Sequence, residues 1–402
     1  MKPGTYALRV LGRALVLGLV LVLTGCTGEG GFGGGGPQEG QTSAPARSAQ
    51  LQILPADGQL DISPDSAILI SLSYGELDSV TVENAAGVPV AGAMASPEGG
   101  SPTPLWQPTE PLVYGESYTI TAQATGEDGE QASATSTFDT VTPTVQVFPS
   151  IGPLDGTTVG VGMPIRVYFD QPVSDKAAAE RNLVVSTSTD VVGGWNWFSD
   201  TEVHWRPQVY WPAGTEVALN ANMYGVNLGN GAWGQLDRSI AFTIGAAHVS
   251  VADAATHTMQ VYADGALVQT YPVSMGSPEN PTRSGPHVVI DQERNKIMDS
   301  TTYGLALDAG GYLTAVEYAT RISNNGEFVH AAPWSVAQQG VSNVSHGCIN
   351  LAPERAAWFF EFSQIGDVVE VVNAGPMLGA VDGDIYDWAI PWETWLQGSA
   401  LD

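Results

Sequence analysis

The run Ser345-His346-Gly347-Cys348-Ile349-Asn350-Leu351 sets a thiol beside an imidazole and a glycine. Upstream lies Phe328-Val329-His330-Ala331-Ala332-Pro333-Trp334-Ser335, with His330 fifteen positions before Ser345. A nucleophilic thiol needs a base to take its proton and a group to orient that base. It also needs backbone N–H groups where a tetrahedral oxyanion forms. Cys348 is the candidate nucleophile, and His330 and His346 are candidate bases. Gly347 lets the backbone come close to a substrate carbonyl. The N–H groups of His346, Gly347 and Cys348 are candidate oxyanion donors, just ahead of a predicted helix whose N-terminal field favours negative charge.

A lone cysteine is most often a buried, inert thiol. No packing argument, however, asks for the polar cluster Ser-His-Gly beside one. A zinc site is excluded by ligand count, because one cysteine with two or three histidines lacks the required spacing. No metal or cofactor is expected.

The elements that must position these groups read as mainly β. Strands are predicted at His248–Ala252, Thr258–Ala263, Leu267–Met275, Val288–Asp291 and Asp367–Val372, with Asp264-Gly265 as a hairpin turn. One helix follows the thiol, with Pro353 in its first turn and Ala356, Ala357, Phe359 and Phe360 as apolar faces. The tail Asp387-Trp388…Pro391-Trp392…Trp395 is expected to fold back and bury its indoles. Upstream, Trp106-Gln107-Pro108 and Gly115 recur as Trp205-Arg206-Pro207 and Gly214, a constant offset of 99. That period fits two β-sandwiches. Short alternating runs at Ala67–Leu72, Thr119–Thr125 and Ile165–Phe169 agree. The aromatics Trp106, Tyr114, Tyr118, Trp195, Trp197 and Trp205 are expected in the cores. With no nucleophile–base pair there, residues 51–245 read as a spacer.

His330 followed by Ser345-His346-Gly347-Cys348-Ile349-Asn350 resembles the signature of the L,D-transpeptidases with a YkuD-type catalytic domain. The full layout resembles the lipid-anchored mycobacterial and actinobacterial members, with two immunoglobulin-like domains before the catalytic one. The resemblance implies a signal peptide at 1–25, a tether at 26–50, immunoglobulin-like domains at 51–141 and 142–245, a catalytic domain at 246–373 and a Trp-rich extension at 374–402 packing on it. It implies Cys348 as acylated nucleophile and His330 as base, oriented by the backbone carbonyl of Ala331. Ser345, His346, Gly347 and Asn350 fall on motif positions that shape the pocket and oxyanion hole. Tyr312, Met298 and Tyr303 match lid residues, and Trp334 a pocket wall; Met298, Tyr303 and Trp334 also fit core packing. The implied reaction cross-links the third residues of peptidoglycan stem peptides through a thioester, releasing D-alanine, without cofactor. Acylation by carbapenem β-lactams is implied too.

Lys2, Arg9 and Arg13 precede the apolar run Ala14–Leu23, which is too short to span a bilayer as a permanent helix. Leu23-Thr24-Gly25-Cys26 then resembles a lipobox. Cys26 is expected to carry a lipid that holds the chain at the outer face of the cytoplasmic membrane. The Gly-rich stretch after it would reach roughly 25–30 Å. The net charge of −28 argues against a nucleic-acid partner. A papain-like peptidase would carry its cysteine before its histidine, the reverse of the order here. A wall-binding protein without activity would leave the His330–Cys348 arrangement unexplained.

Overall fold

The structure, a computed structural model, describes residues 46–95, 105–304, 306–383 and 385–401. Cys26 lies outside them. Residues from Ala46 onward form one compact unit.

The first sandwich packs strands Gln50–Leu54, Ile68–Ser73, Leu105–Pro108 and Gly92–Ala95 against Gln59–Ile62, Gln131–Thr140, Ser117–Gly126 and Gly75–Asn84. Along Ser117–Gly126 burial alternates with the two-residue strand period, so Tyr118, Ile120, Ala122 and Ala124 face inward. The second sandwich pairs Pro149–Gly152, Ile165–Phe169, Glu202–Pro207 and Gly193–Trp197 in one sheet. Thr158–Val159, Arg238–Ile244, Glu216–Ala221 and Leu183–Thr187 form the other. The repeat at offset 99 is visible in the backbone. Gly115 and Gly214 both adopt positive φ, +69° and +76°, and each starts the turn into an equivalent strand, at Ser117 and at Glu216. Trp106, Trp195 and Trp205 are core residues.

The third part is built on two sheets. One runs in the order Ala266–Pro272, Thr258–Ala263, His248–Asp253, Val368–Val372, Gly285–Val288. The other runs Asp291–Asp299, Leu313–Arg321, Phe328–Ala331, Ile349–Leu351. The helix Pro353–Phe362 starts with proline at its first position and ends at Ser363, whose N–H donates to Phe359 O. Its Ala356 and Phe359 join a core with Met259, Val261, Val329, Ile349, Leu351 and Val369. Truncating Phe359 to Ala would cost about 3–5 kcal/mol.

Two strand expectations are corrected. The strand after the Asp264-Gly265 turn stops at Pro272; beyond it Ser274 and Gly276 bridge to Asn350 and Ser345 instead. The Val288–Asp291 run is a junction between the two sheets. Val289 donates to Asp367 O and Ile290 to Arg321 O, so a continuous apolar run serves both sheets in turn.

The tail does fold back, but from Ile385 onward mainly onto the second sandwich rather than the third part. Trp395, fully buried, donates its indole N–H to Gly194 O at 2.8 Å, and Trp388 donates to Gly162 O at 2.7 Å. Arg206 lies over the rings of Trp388, Trp392 and Trp395 and donates to Ile390 O. His204, fully buried, sits 2.9 Å from Asp387 and 3.1 Å from Glu202. Burial alone would depress this imidazole; the two carboxylates outweigh it and raise its pKa. The second sandwich is also no detached spacer. Val288, Val368 and Ile385 belong to its core, and Gly160 and Gly162 donate to Ile365 O and Gly366 O.

Candidate active site

Strands Phe328–Ala331 and Ile349–Leu351 run parallel, with His330 opposite Asn350 and Ala331 opposite Leu351. This register brings the fifteen-residue spacing back on itself and sets Cys348, just before its strand, near the base. His330, Cys348, Met298, Tyr312, Trp334, Ser345, His346 and Asn350 line one cavity of about 350 Å³. Thr314, Val316 and Val344 complete its wall.

His330 is 4% exposed. Its Nδ1 lies 2.9 Å from Ala331 O, a group that can only accept, so Nδ1 carries the proton and Nε2 keeps its lone pair. Burial depresses this imidazole to about 4, against a small opposing effect of that carbonyl, so it is neutral at physiological pH. The Cys348 thiol is 5% exposed and donates to Gly326 O at 3.6 Å. Burial pushes it up to about 12; the Phe328 backbone works against the rise, and the Glu327 carboxylate adds to it. The resting pair is therefore thiol and imidazole, both uncharged.

Gly347 adopts φ +118°, a conformation costly for any residue with a Cβ. Its N–H donates to Ser345 Oγ at 3.1 Å, and the same hydroxyl donates to Cys348 O at 2.6 Å. That is a correction: of the three N–H groups expected to face an oxyanion, Gly347's is spent inside the turn. Asn350 donates its Nδ2 to Ser335 Oγ at 3.0 Å.

The strands Asp291–Asp299 and Leu313–Arg321 form a hairpin that places Met298 and Tyr312 at the cavity. Met298 is buried and packs with Val316, Phe328 and Cys348. The Tyr312 ring lies 5.0 Å from that of His346, centroid to centroid, over the cavity mouth. Tyr303 ends a short 3-10 turn in the hairpin tip, and its side chain lies outside the described residues. Trp334 is 57% exposed with its ring 6.1 Å from His330, so it is a rim residue and not a core one. His346 is exposed at the same rim, unlike His330.

Sequence reading passed over a second layer behind the thiol. His287, fully buried, contacts Glu327 at 3.0 Å, and Glu327 accepts from Arg283 N at 2.7 Å. Thr282 and Ser277 touch the Ser345–Cys348 turn. Nothing in the spacing of these residues signals a role, since the contacts span 40 to 68 positions of chain.

The geometry agrees with what the chain resembles. Residues 247–371 match the family described as the L,D-transpeptidase catalytic domain. Residues 59–227 match the bacterial Ig domain, which spans strands of both sandwiches. The chain is 41% identical over 346 residues to L,D-transpeptidase 2 of Mycobacterium tuberculosis, covering 86% of this chain and 83% of that one. It is 40% identical over 365 residues to L,D-transpeptidase 5 of the same organism, covering 89% and 78%. Among solved structures, an L,D-transpeptidase in complex with imipenem matches with a TM-score of 0.50 and 40% identity, over 57% of this chain and all of that one. With a thiol–imidazole pair in one cavity and relatives this similar over most of their length, the chain belongs to the L,D-transpeptidase family.

Proposed function

We propose that the protein cross-links peptidoglycan stem peptides through a thioester on Cys348. His330 Nε2 takes the thiol proton as sulfur attacks the carbonyl joining the third stem residue, a diamino acid, to the terminal D-alanine. The C–N bond breaks, the proton passes to the leaving amine, and D-alanine departs. The side-chain amine of another stem then attacks the thioester. The C–S bond breaks, and the thiol recovers its proton through His330. The product joins two third residues.

The observation that carries this reading is the fixed tautomer of His330, a residue that lines the same cavity as the only cysteine among the described residues. The Ala331 carbonyl orients the imidazole, and Asn350, Ser345 and Gly347 shape the turn around the thiol. The solved complex of a relative with imipenem supports carbapenem binding here, and the proposed thioester chemistry puts the acylation on Cys348.

The test is purified protein with a disaccharide-tetrapeptide, products read by mass spectrometry. Wild type should give cross-linked dimer and free D-alanine; Cys348→Ala should give neither. Dimer formed by Cys348→Ala would overturn the nucleophile assignment.

Cys26 is proposed to bear the lipid that anchors the protein at the outer face of the cytoplasmic membrane, facing the wall. A multiply acylated cysteine anchors stably where a single chain does not. Cys26→Ser should appear in the soluble fraction; a variant that stays with the membrane would refute the anchor.

A further inference from the structure

The Ser345–Cys348 turn is tied down group by group. Ser277 N–H donates to Ser345 O at 2.8 Å. Ser345 Oγ takes the Gly347 N–H. The Thr282 hydroxyl reaches across 65 positions of chain to the Gly347 carbonyl at 2.7 Å. Thr282 is 1% exposed, and its Oγ1 also receives the Gly276 N–H at 2.9 Å. An N–H can only donate, so the Thr282 proton is directed to Gly347. The loop closes this tightly because Gly276 has no Cβ; one there would lie 2.3 Å from Asn280 O and 2.4 Å from Thr282 N.

In a planar trans peptide the C=O and N–H point in opposite directions. Holding Ser345 O against Ser277 therefore turns the His346 N–H the other way. Holding Gly347 O against Thr282 turns the Cys348 N–H the other way. With the Gly347 N–H already spent, the donors left for an oxyanion are those of His346 and Cys348.

We propose that Thr282 is a positioning residue for the oxyanion hole: its hydroxyl fixes the 347–348 peptide so that the Cys348 N–H faces the developing negative oxygen. Thr282 is not among the residues that line the cavity holding the thiol. It acts on the transition state by preventing rotation of one peptide. Without the hydroxyl, the Gly347 carbonyl and the Gly276 N–H both lose their buried partner, and the peptide is free to turn its oxygen toward the cavity. The inference rests on the proposed thioester chemistry.

Two reactions at the same sulfur separate this role from a merely structural one. Carbapenem acylation builds a tetrahedral oxyanion; alkylation by iodoacetamide does not. Thr282→Val, nearly isosteric, should slow acylation at saturating carbapenem roughly 10- to 100-fold, toward the loss seen when one oxyanion donor is removed. Iodoacetamide alkylation should stay within about twofold, and Thr282→Ser should restore acylation. Equal slowing of both reactions, or acylation at the wild-type rate, overturns the proposal. If Thr282→Val is insoluble, the same ratio is read on Thr282→Ala. Insolubility of both also counts against it, since the hydroxyl would then hold the fold and not the hole. A wild-type protein that forms no adduct on Cys348 would instead sink the thioester reading, which the wild-type control reports separately.

Discussion

The Nδ1–H of His330 donates to the carbonyl of the very next residue, Ala331, at 2.9 Å. The group that orients this imidazole is thus backbone. Because the acceptor is a peptide oxygen, which Gly and Ser also carry, Ala331→Gly and Ala331→Ser should keep most of the acylation rate. Stopped-flow carbapenem acylation measures this. A hundredfold loss would show that the Ala331 methyl, not its carbonyl, places the ring.

The protonation states set a pH profile. The His330 imidazole is depressed to about 4 and the thiol raised to about 12, both by burial. Acylation through a neutral pair should therefore show no inflection near 6.5 and fall only as pH approaches the depressed value. Simple alkylation needs free thiolate, so it should climb about tenfold per pH unit through the neutral range. An alkylation plateau below pH 8 would indicate a resting thiolate–imidazolium pair. Stability follows the same group. Its folded pKa lies below the unfolded one, so buried neutral His330 costs nothing above about 6.5 and penalises the fold as pH drops toward about 4.

His330→Ala should lower the acylation rate constant by about 10²–10⁴-fold, the usual contribution of a general base. His346→Ala should lose less, and chiefly in affinity. Its ring stands exposed against Tyr312 at the mouth, and its backbone N–H, the part proposed to meet the oxyanion, survives the change. Separate rate and affinity constants from rapid mixing decide the matter; matching losses in both variants would move the base to His346.

The clasp between the second sandwich and the tail has its own signature. His204 and Asp387 are both fully buried, and removing one partner of such a pair costs about 3–5 kcal/mol. Asp387→Ala should lower the melting temperature by that measure. His204 has a raised folded pKa, so its stabilisation is complete below the unfolded value near 6.5 and is lost as pH rises through the folded one. Thermal melts from pH 6 to 9 should fall in wild type and be flatter in Asp387→Ala. Parallel curves would mean His204 titrates identically in both.

Truncations should separate the two sandwiches. A chain beginning near residue 142 keeps the shared core and should acylate within about twofold of wild type. One beginning near 246 exposes Val288, Val368 and Ile385, each 6% exposed or less in the fold, and should be strongly destabilised. At about 1.5–3 kcal/mol for each side chain stripped of cover, the loss rivals a domain's whole stability. A cooperative melt of the 246–402 piece at wild-type temperature would refute this.

Much of the site was legible because its chemistry is local. The candidate nucleophile, candidate base and turn residues fall in two short runs that meet in one cavity, and the hairpin at Asp264-Gly265 takes the positive φ values, +49° and +79°, that its residues favour. The repeat was legible because sandwich strands keep a strict period. The layer behind was not. Thr282, Glu327 and His287 are ordinary polar residues whose meaning lies in contacts far along the chain. The expected oxyanion trio failed for a related reason: a hydroxyl two residues away competes for the Gly347 N–H, and spacing cannot show which way a peptide turns. The tail's indoles were expected to be buried, but hydrophobicity carries no address. Arg206 and the His204 pair supply one, on a different domain.

The strand His248–Asp253 finds its parallel neighbour only at Val368–Val372, and the buried pair on His204 closes only with Asp387. A polypeptide is made from its amino end, at about 5–20 residues per second. Some ten seconds of synthesis, by that rate, separate the two strands. The first sandwich can fold while Cys348 is still unmade, but the second takes Val368 and Ile385 into its core, and the sheet around His248–Asp253 waits for Val368–Val372. Nonsense mutations between Leu351 and Trp395 would therefore release polypeptides that contain every reactive group and have no catalyst.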